Sequence, residues 1–145
     1  MILRKLQLHN FLVFYGEQRL SFPADREQNV TIILANNNSG KTSIIRALKF
    51  LFYGAGALNM QRMQGRPSAL ITERAAHETS IGQNVEASVD LTFALGDKDY
   101  RFRRKVEATQ TRDGLDRGSE SLVEIQTDSG GREIEKPDDG NHTLH

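Results

Sequence analysis

Residues 35–42 read Ala35-Asn36-Asn37-Asn38-Ser39-Gly40-Lys41-Thr42, the phosphate-loop pattern G-x-x-x-x-G-K-[ST] with alanine at its first glycine. Such a loop works only between a strand and a helix, so it dictates three consecutive elements. The flanks supply both. Val30-Thr31-Ile32-Ile33-Leu34 is a short apolar run that reads as a strand covered on both sheet faces. Ser43 to Tyr53 reads as a helix, with Gly54 as its stop and Gly56 adding to the break. Within it Ile44, Ile45, Leu48, Leu51 and Phe52 fall at helical spacing and predict one buried stripe, with Arg46 and Lys49 off it.

The loop chemistry follows from helix physics. The first N–H groups of a helix lack partners and lie at the positive end of its dipole, so polyphosphate binds there. The expected phosphate contacts are Asn36, Asn37, Asn38, Ser39, Gly40, Lys41, Thr42 and Ser43. Gly40 lets the backbone approach the anion without a Cβ. Lys41 is the catalytic cation for the β- and γ-phosphates, and the Thr42 hydroxyl is the magnesium ligand. Asn37 and Asn38 stand where many such loops carry glycine; asparagine tolerates positive φ better than most residues. Ala35 is the weak point, because positive φ at that position would strain the loop.

Elsewhere, Ile2 to Phe11 predicts a strand, Gly16 a turn and Glu17 to Phe22 a second strand ended by Pro23, with Leu20 and Phe22 on one face. Residues 55–83 are poorly patterned; Ser68 is positioned to cap a short helix from Ala69 to His77, and the rest reads as a long loop. The clearest strand follows: Val85, Ala87, Val89, Leu91 and Phe93 alternate with Glu86, Ser88, Asp90 and Thr92. Gly96-Asp97 turns the chain into Tyr100 and Phe102, alternating with Arg101, Arg103 and Lys105: an antiparallel hairpin with one wet face. Residues 107–120 read as a polar loop. Leu122 to Thr127 and Arg132 to Glu135 are short strand candidates, joined by a turn at Asp128-Ser129-Gly130-Gly131.

At 145 residues the chain is long enough for one domain with a real core. Nineteen basic and nineteen acidic residues cancel, so overall charge gives no argument for nucleic-acid binding. Without cysteine, disulfides, thiolate metal sites and cysteine nucleophiles are excluded. No apolar run approaches the ~18 residues of a membrane span. Met1 to Leu6 has charges within its apolar stretch and does not read as a signal peptide. No membrane partner and a cytoplasmic location are therefore expected.

Arg101, Arg103, Arg104 and Lys105 form the densest basic cluster. It could follow a nucleic-acid backbone, but a solvated strand face balanced by Glu86 and Asp90 is the favoured reading. His9, His77, His142 and His145 lack metal-site spacing. Phe11, Phe14 and Tyr15 could stack a base and are more often packing between strands. Phosphoryl transfer needs an acid for magnesium and commonly another for the attacking water. The nearest candidate, Asp90, lies in an alternating strand with no second acid beside it.

Asn10-Phe11, Phe14-Tyr15-Gly16-Glu17-Gln18, the Asn-Asn-Ser-Gly-Lys-Thr loop and the helix end Phe52-Tyr53-Gly54 together resemble the N-terminal half of the ATPase head of the SMC-like family. That family includes SMC proteins, SbcC, RecN, RecF and DndD; the Phe-Tyr-Gly-Glu-Gln element and the helix end are most similar to DndD-type proteins. The loop is also similar to that of OLD-family nucleases. The likeness covers residues 1 to about 106. Leu12 stands where many members carry Arg or Lys near the nucleotide.

The resemblance implies an α/β P-loop NTPase fold: a mixed sheet around the P-loop helix with an antiparallel β-hairpin subregion, forming the N-terminal lobe of an ABC-type head. Residues 1–106 would be that lobe, and 107–145 a polar loop, possible hairpin and tail before the rest of the head. It implies ATP and Mg2+ as cofactors. The implied partners are the C-terminal half of the same head, a second head in a homodimer, and DNA for the complete protein in modification, repair or phage defence. Hydrolysis would require the Walker B acids, signature motif and coiled coil that the family carries further along. Two alternatives stand beside this reading. One is a complete small nucleotide kinase or GTPase; the other is a non-catalytic interaction module with a degenerate loop.

Overall fold

The computed structural model describes residues 1–23, 25, 27–37, 39–60, 65–127 and 132–137. Its frame is one antiparallel sheet. The strands are β1 (Ile2–Phe11), β2 (Phe14–Ser21), β3 (Asn84–Leu95), β4 (Lys98–Thr111), β5 (Gly114–Leu115), β6 (Ser119–Thr127) and β7 (Glu133–Pro137). The order is β2-β1-β3-β4-β6-β7, with β5 on the end of β4. The helices are α1 (Lys41–Tyr53) and the short α2 (Glu73–Glu78), with 3-10 turns at Ala55–Leu58 and Pro67–Leu70.

The β3–β4 hairpin forms as its alternation predicts. Leu91 pairs with Phe102 and Val89 with Arg104, while Val85, Ala87, Val89, Leu91 and Phe93 are all buried on one face. Period-2 burial of this kind leaves the other face to polar side chains. Helix α1 lies on the apolar face. Ala47, Phe50 and Leu51 are fully buried, and Phe50 stacks on Phe11 with ring centroids 5.5 Å apart.

The end of α1 is held by charge as well as by packing. Arg104 Nε donates to the Leu51 carbonyl at 2.9 Å, a cation placed at the negative end of the helix dipole. Its guanidinium also donates to Glu120 on β6 at 3.2 Å, and Glu120 accepts the Ala55 N–H at 3.0 Å. Gly54 closes the helix at φ 80, and a Cβ there would lie 2.6 Å from the Glu120 carboxylate.

Several local expectations are revised. The buried stripe of α1 is turned to Ser43, Ala47, Phe50 and Leu51; Ile44, Leu48 and Phe52 are only partly buried, and Ile45 is 59% exposed. Val30–Leu34 makes no ladder pairing and is open to solvent, with Leu34 89% exposed. A strand buried on both faces needs neighbours on both sides, and the seven strands of this sheet pair elsewhere. The short helix starts at Glu73, not Ala69, because Thr72 rather than Ser68 supplies the cap, accepting the Ala75 N–H at 3.2 Å. Residues 107–120 are largely strand: β4 runs on to Thr111, and β6 begins at Ser119. The turn expected at 128–131 lies outside the described residues, as do His142 and His145.

The basic cluster divides between the two faces. Asp90, 6% exposed, accepts a two-pronged contact from Arg101, Nε to Oδ1 at 3.0 Å and Nη2 to Oδ2 at 2.6 Å. Arg103 and Lys105 lie 3.7 and 3.8 Å from Glu86. These three cations are balanced on the wet face, as the alternation predicts; Arg104 alone turns inward.

The rotated stripe gives a direct check. Phe50→Ala should destabilise the chain by about 3–5 kcal/mol through cavity formation, whereas Ile45→Ala should change stability by less than about 0.5 kcal/mol. Urea denaturation followed by circular dichroism distinguishes them, and similar losses at both positions would restore the sequence-derived stripe.

Candidate nucleotide-binding site

The loop ends at Gly40, the residue preceding α1, with φ 90 and ψ 7. This left-handed start strongly favours glycine. A second constraint comes from behind the loop: an added Cβ would sit 2.6 Å from Phe14 Cζ and 3.2 Å from Val13 Cγ2. Glycine is thus required both for its dihedral angle and for the close approach of the β1–β2 turn, a reason the motif alone does not reveal.

Lys41 and Thr42 follow at the exposed first turn of α1. Lys41 Nζ reaches back across the loop and donates to the Ala35 carbonyl at 2.6 Å. Ser39 Oγ and N both donate to the Asn36 carbonyl, at 2.5 and 3.3 Å. These contacts tie Lys41 to Ala35 and Ser39 to Asn36. The first helical bond runs from Ile44 N–H to the Gly40 carbonyl at 3.0 Å. No acidic side chain lies in the first turn, and no side chain caps it. The positive helix end is therefore left for an external anion to compensate.

The condition under which Ala35 would strain the loop, a positive φ, is not met. Among the described non-glycine residues, only Asn10, Leu12 and Asn59 have positive φ. The loop therefore reaches this shape with no left-handed residue at 35, 36 or 37. Asn38 lies outside the described residues. Ser43 differs from its neighbours in being 5% exposed; it lines a cleft of about 590 Å3 together with Leu12, Val13, Tyr15, Arg46 and Arg74. Leu12 supplies an apolar wall there in place of a cation. Asp90 sits on the opposite face of the sheet from Val89 and α1 and is taken up by Arg101, so it is not brought to the loop.

The aromatic trio separates. Phe11 is buried in the core and Phe14 backs Gly40, while Tyr15 is 38% exposed at the cleft. Tyr15 donates its hydroxyl hydrogen to Glu78. Arg74 lies over the Tyr15 ring at 4.1 Å and donates to Glu78 at 3.1 Å. Arg74 and Glu78 stand four residues apart on α2 and Tyr15 joins them from β2, a meeting that was not legible in the sequence. Accepting the Tyr15 hydrogen bond holds the Glu78 carboxyl below its ordinary range, with Arg74 adding to the effect. The same bond raises Tyr15 above the ordinary phenol value.

Two tests follow from the geometry. Gly40→Ala should destabilise the chain by about 1–3 kcal/mol, the usual cost of forcing a side chain into such backbone. Adding Phe14→Ala should recover only the steric part, which a double-mutant cycle of denaturation midpoints measures. In the network, the Glu78 contribution is present above the ordinary glutamate range and is lost as pH falls through its lowered folded value. The Tyr15 contribution is present below the ordinary phenol range and is lost as pH rises through its raised folded value. Tyr15→Phe should remove the alkaline dependence, reduce the acidic one to the part that Arg74 supplies, and move the Glu78 carboxyl titration, followed by carbon NMR, back upward.

Comparison with known proteins places this arrangement. A search of curated proteins finds no match. Among solved structures, one from work on the ATP-driven dimerization and DNA-stimulated activation of SMC ATPases superposes with a TM-score of 0.58 at 23% identity. The alignment covers 92% of this chain and 72% of that one. The fold is accordingly the α/β P-loop fold of an SMC-type ATPase head, with its antiparallel sheet packed on the P-loop helix. A family profile described as AAA domain matches residues 5–141, beyond the span that the motif-level resemblance covered. With that profile matching most of its length, the chain belongs to the AAA domain family.

Proposed function

We propose that this chain is the ATP- and Mg2+-binding N-terminal lobe of an SMC-like ATPase head. The carrying observation is the preformed loop at the start of α1, where Gly40 is left-handed, Lys41 closes on the Ala35 carbonyl and the first-turn N–H groups are uncapped. Entering phosphates replace the Ala35 carbonyl as the partner of Lys41. The loop at 36–43 cradles the phosphates, Thr42 supplies the hydroxyl for magnesium, and the cleft beside Ser43 and Tyr15 takes the nucleoside. Its volume suits a small ligand.

Hydrolysis requires more than this lobe. Water must be oriented and developing charge stabilised, and Asp90 is committed to Arg101 on the far face. The open apolar segment Val30, Ile32, Ile33 and Leu34 supports a covering surface from the C-terminal half of the head. A second head, in a homodimer, supplies the remaining contacts to ATP. The Phe14-Tyr15-Gly16-Glu17-Gln18 and Phe52-Tyr53-Gly54 elements favour a DndD-type member acting in DNA modification, repair or defence. Among the described residues no helix is long and apolar enough to cross a membrane, and a cytoplasmic site of action fits this role.

Titration calorimetry tests the reading. Wild-type chain should bind ATP; Lys41→Ala should abolish binding, and Thr42→Ala should weaken it more with magnesium than without. The lobe alone should show no turnover above a Lys41→Ala control. Unchanged affinity in Lys41→Ala, or robust wild-type turnover, contradicts the proposal.

A further inference from the structure

Asn10 occupies an unusual place at the end of β1. It sits at the register shift between His9 and Phe11, and its φ is 47. Asparagine tolerates this region better than most residues, but still at a cost that the surroundings must offset. Those surroundings are on hand. Asn10 Oδ1 accepts the Gly16 N–H at 2.9 Å. Its Nδ2 donates towards the Glu86 carbonyl at 3.4 Å and lies 3.1 Å from His9 Nε2. The Asn10 carbonyl accepts the Thr72 N–H at 2.8 Å. One side chain thus joins both ends of the β1–β2 turn to β3, and its backbone joins the same turn to the start of α2.

The turn so held is the one that backs the loop. Leu12, also left-handed at φ 51, donates its N–H to the Leu70 carbonyl at 2.7 Å. Val13 and Phe14 follow, and their side chains occupy the space a Cβ on Gly40 would need. A path of direct contacts therefore runs from Asn10, through a turn with two left-handed residues, to the residue that opens α1.

We propose that Asn10 is a positioning residue for the phosphate loop: its amide locks the β1–β2 turn so that Val13 and Phe14 hold Gly40 and the start of α1 in place. It touches no phosphate itself. The link to nucleotide affinity rests on the ATP reading given above; the link to loop order does not.

The test therefore has two readouts. Amide hydrogen exchange is measured by NMR on the ligand-free chain for wild type, Asn10→Gly and Asn10→Ala. Glycine accepts the left-handed backbone without strain, so Asn10→Gly removes the hydrogen bonds without a backbone clash, and its greater unfolded-state freedom acts on all sites alike. Beyond that common effect, losing the amide contacts should speed exchange at Gly16 and Ile44 by about tenfold in both variants, while Val89 and Leu91 in β3 keep wild-type rates. Equal acceleration at all four sites means general destabilisation and overturns the proposal, as does wild-type exchange at Ile44 in Asn10→Gly. In the second readout, ATP affinity of Asn10→Gly should fall about tenfold while Lys41→Ala loses binding altogether. Unchanged ATP affinity in Asn10→Gly with faster exchange at Ile44 overturns the positioning role. If wild-type chain binds no ATP, the nucleotide reading fails and exchange alone decides the role of Asn10.

Discussion

Burial of one face of α1 against the β3–β4 hairpin is the contact on which the remaining geometry depends. Ala47, Phe50 and Leu51 have no exposed surface, and removing three such side chains from water supplies several kcal/mol before any polar contact is counted. That packing fixes the helix axis, and the axis fixes where Gly40 must lie. Arg104 and Glu120 then set the other end by meeting the helix carbonyl and the following N–H. Arg104 is mostly withdrawn from water and is acceptable there because Glu120, which stays open to solvent, partners it.

The two faces of the sheet solve different problems. The helix side is apolar at its centre, with the Arg104–Glu120 pair at the end of α1. The far side carries a paired lattice in which Asp90 is buried under Arg101 and the cations near Glu86 are spaced at ion-pair distance. Exposed pairs of the second kind contribute little to stability. Their effect is to keep a wide strand surface charged, which discourages non-specific association.

Much of this was legible in the sequence wherever one local rule decided the outcome. The β3 alternation gave both its pairing and its buried face, and the eight-residue loop gave the helix start to within two residues. Legibility stopped where two elements had to agree. Ile45 looks buried by periodicity, but the helix rolls to seat Phe50 on Phe11, which no helical wheel contains. Thr72 displaces Ser68 as a cap because a proline-started turn occupies 67–70 first. Val30–Leu34 has the composition of a central strand and lacks only neighbours, a property of topology rather than of those five residues. The candidate loop could be named from the sequence because it is one continuous segment, while the place of Phe14 behind Gly40 needed the fold.

Val30-Thr31-Ile32-Ile33-Leu34 has one further consequence. It is uncharged, free of proline and glycine, and rich in β-branched residues, the composition that stacks into cross-β arrays when left uncovered. Charged residues close to such a run act as gatekeepers, yet the stretch that follows, Ala35 to Gly40, carries no charge. On the function proposed above, a loop that receives phosphate cannot also guard the segment that leads into it. On that reading solubility, more than chemistry, sets how soon after synthesis the segment must meet a covering surface.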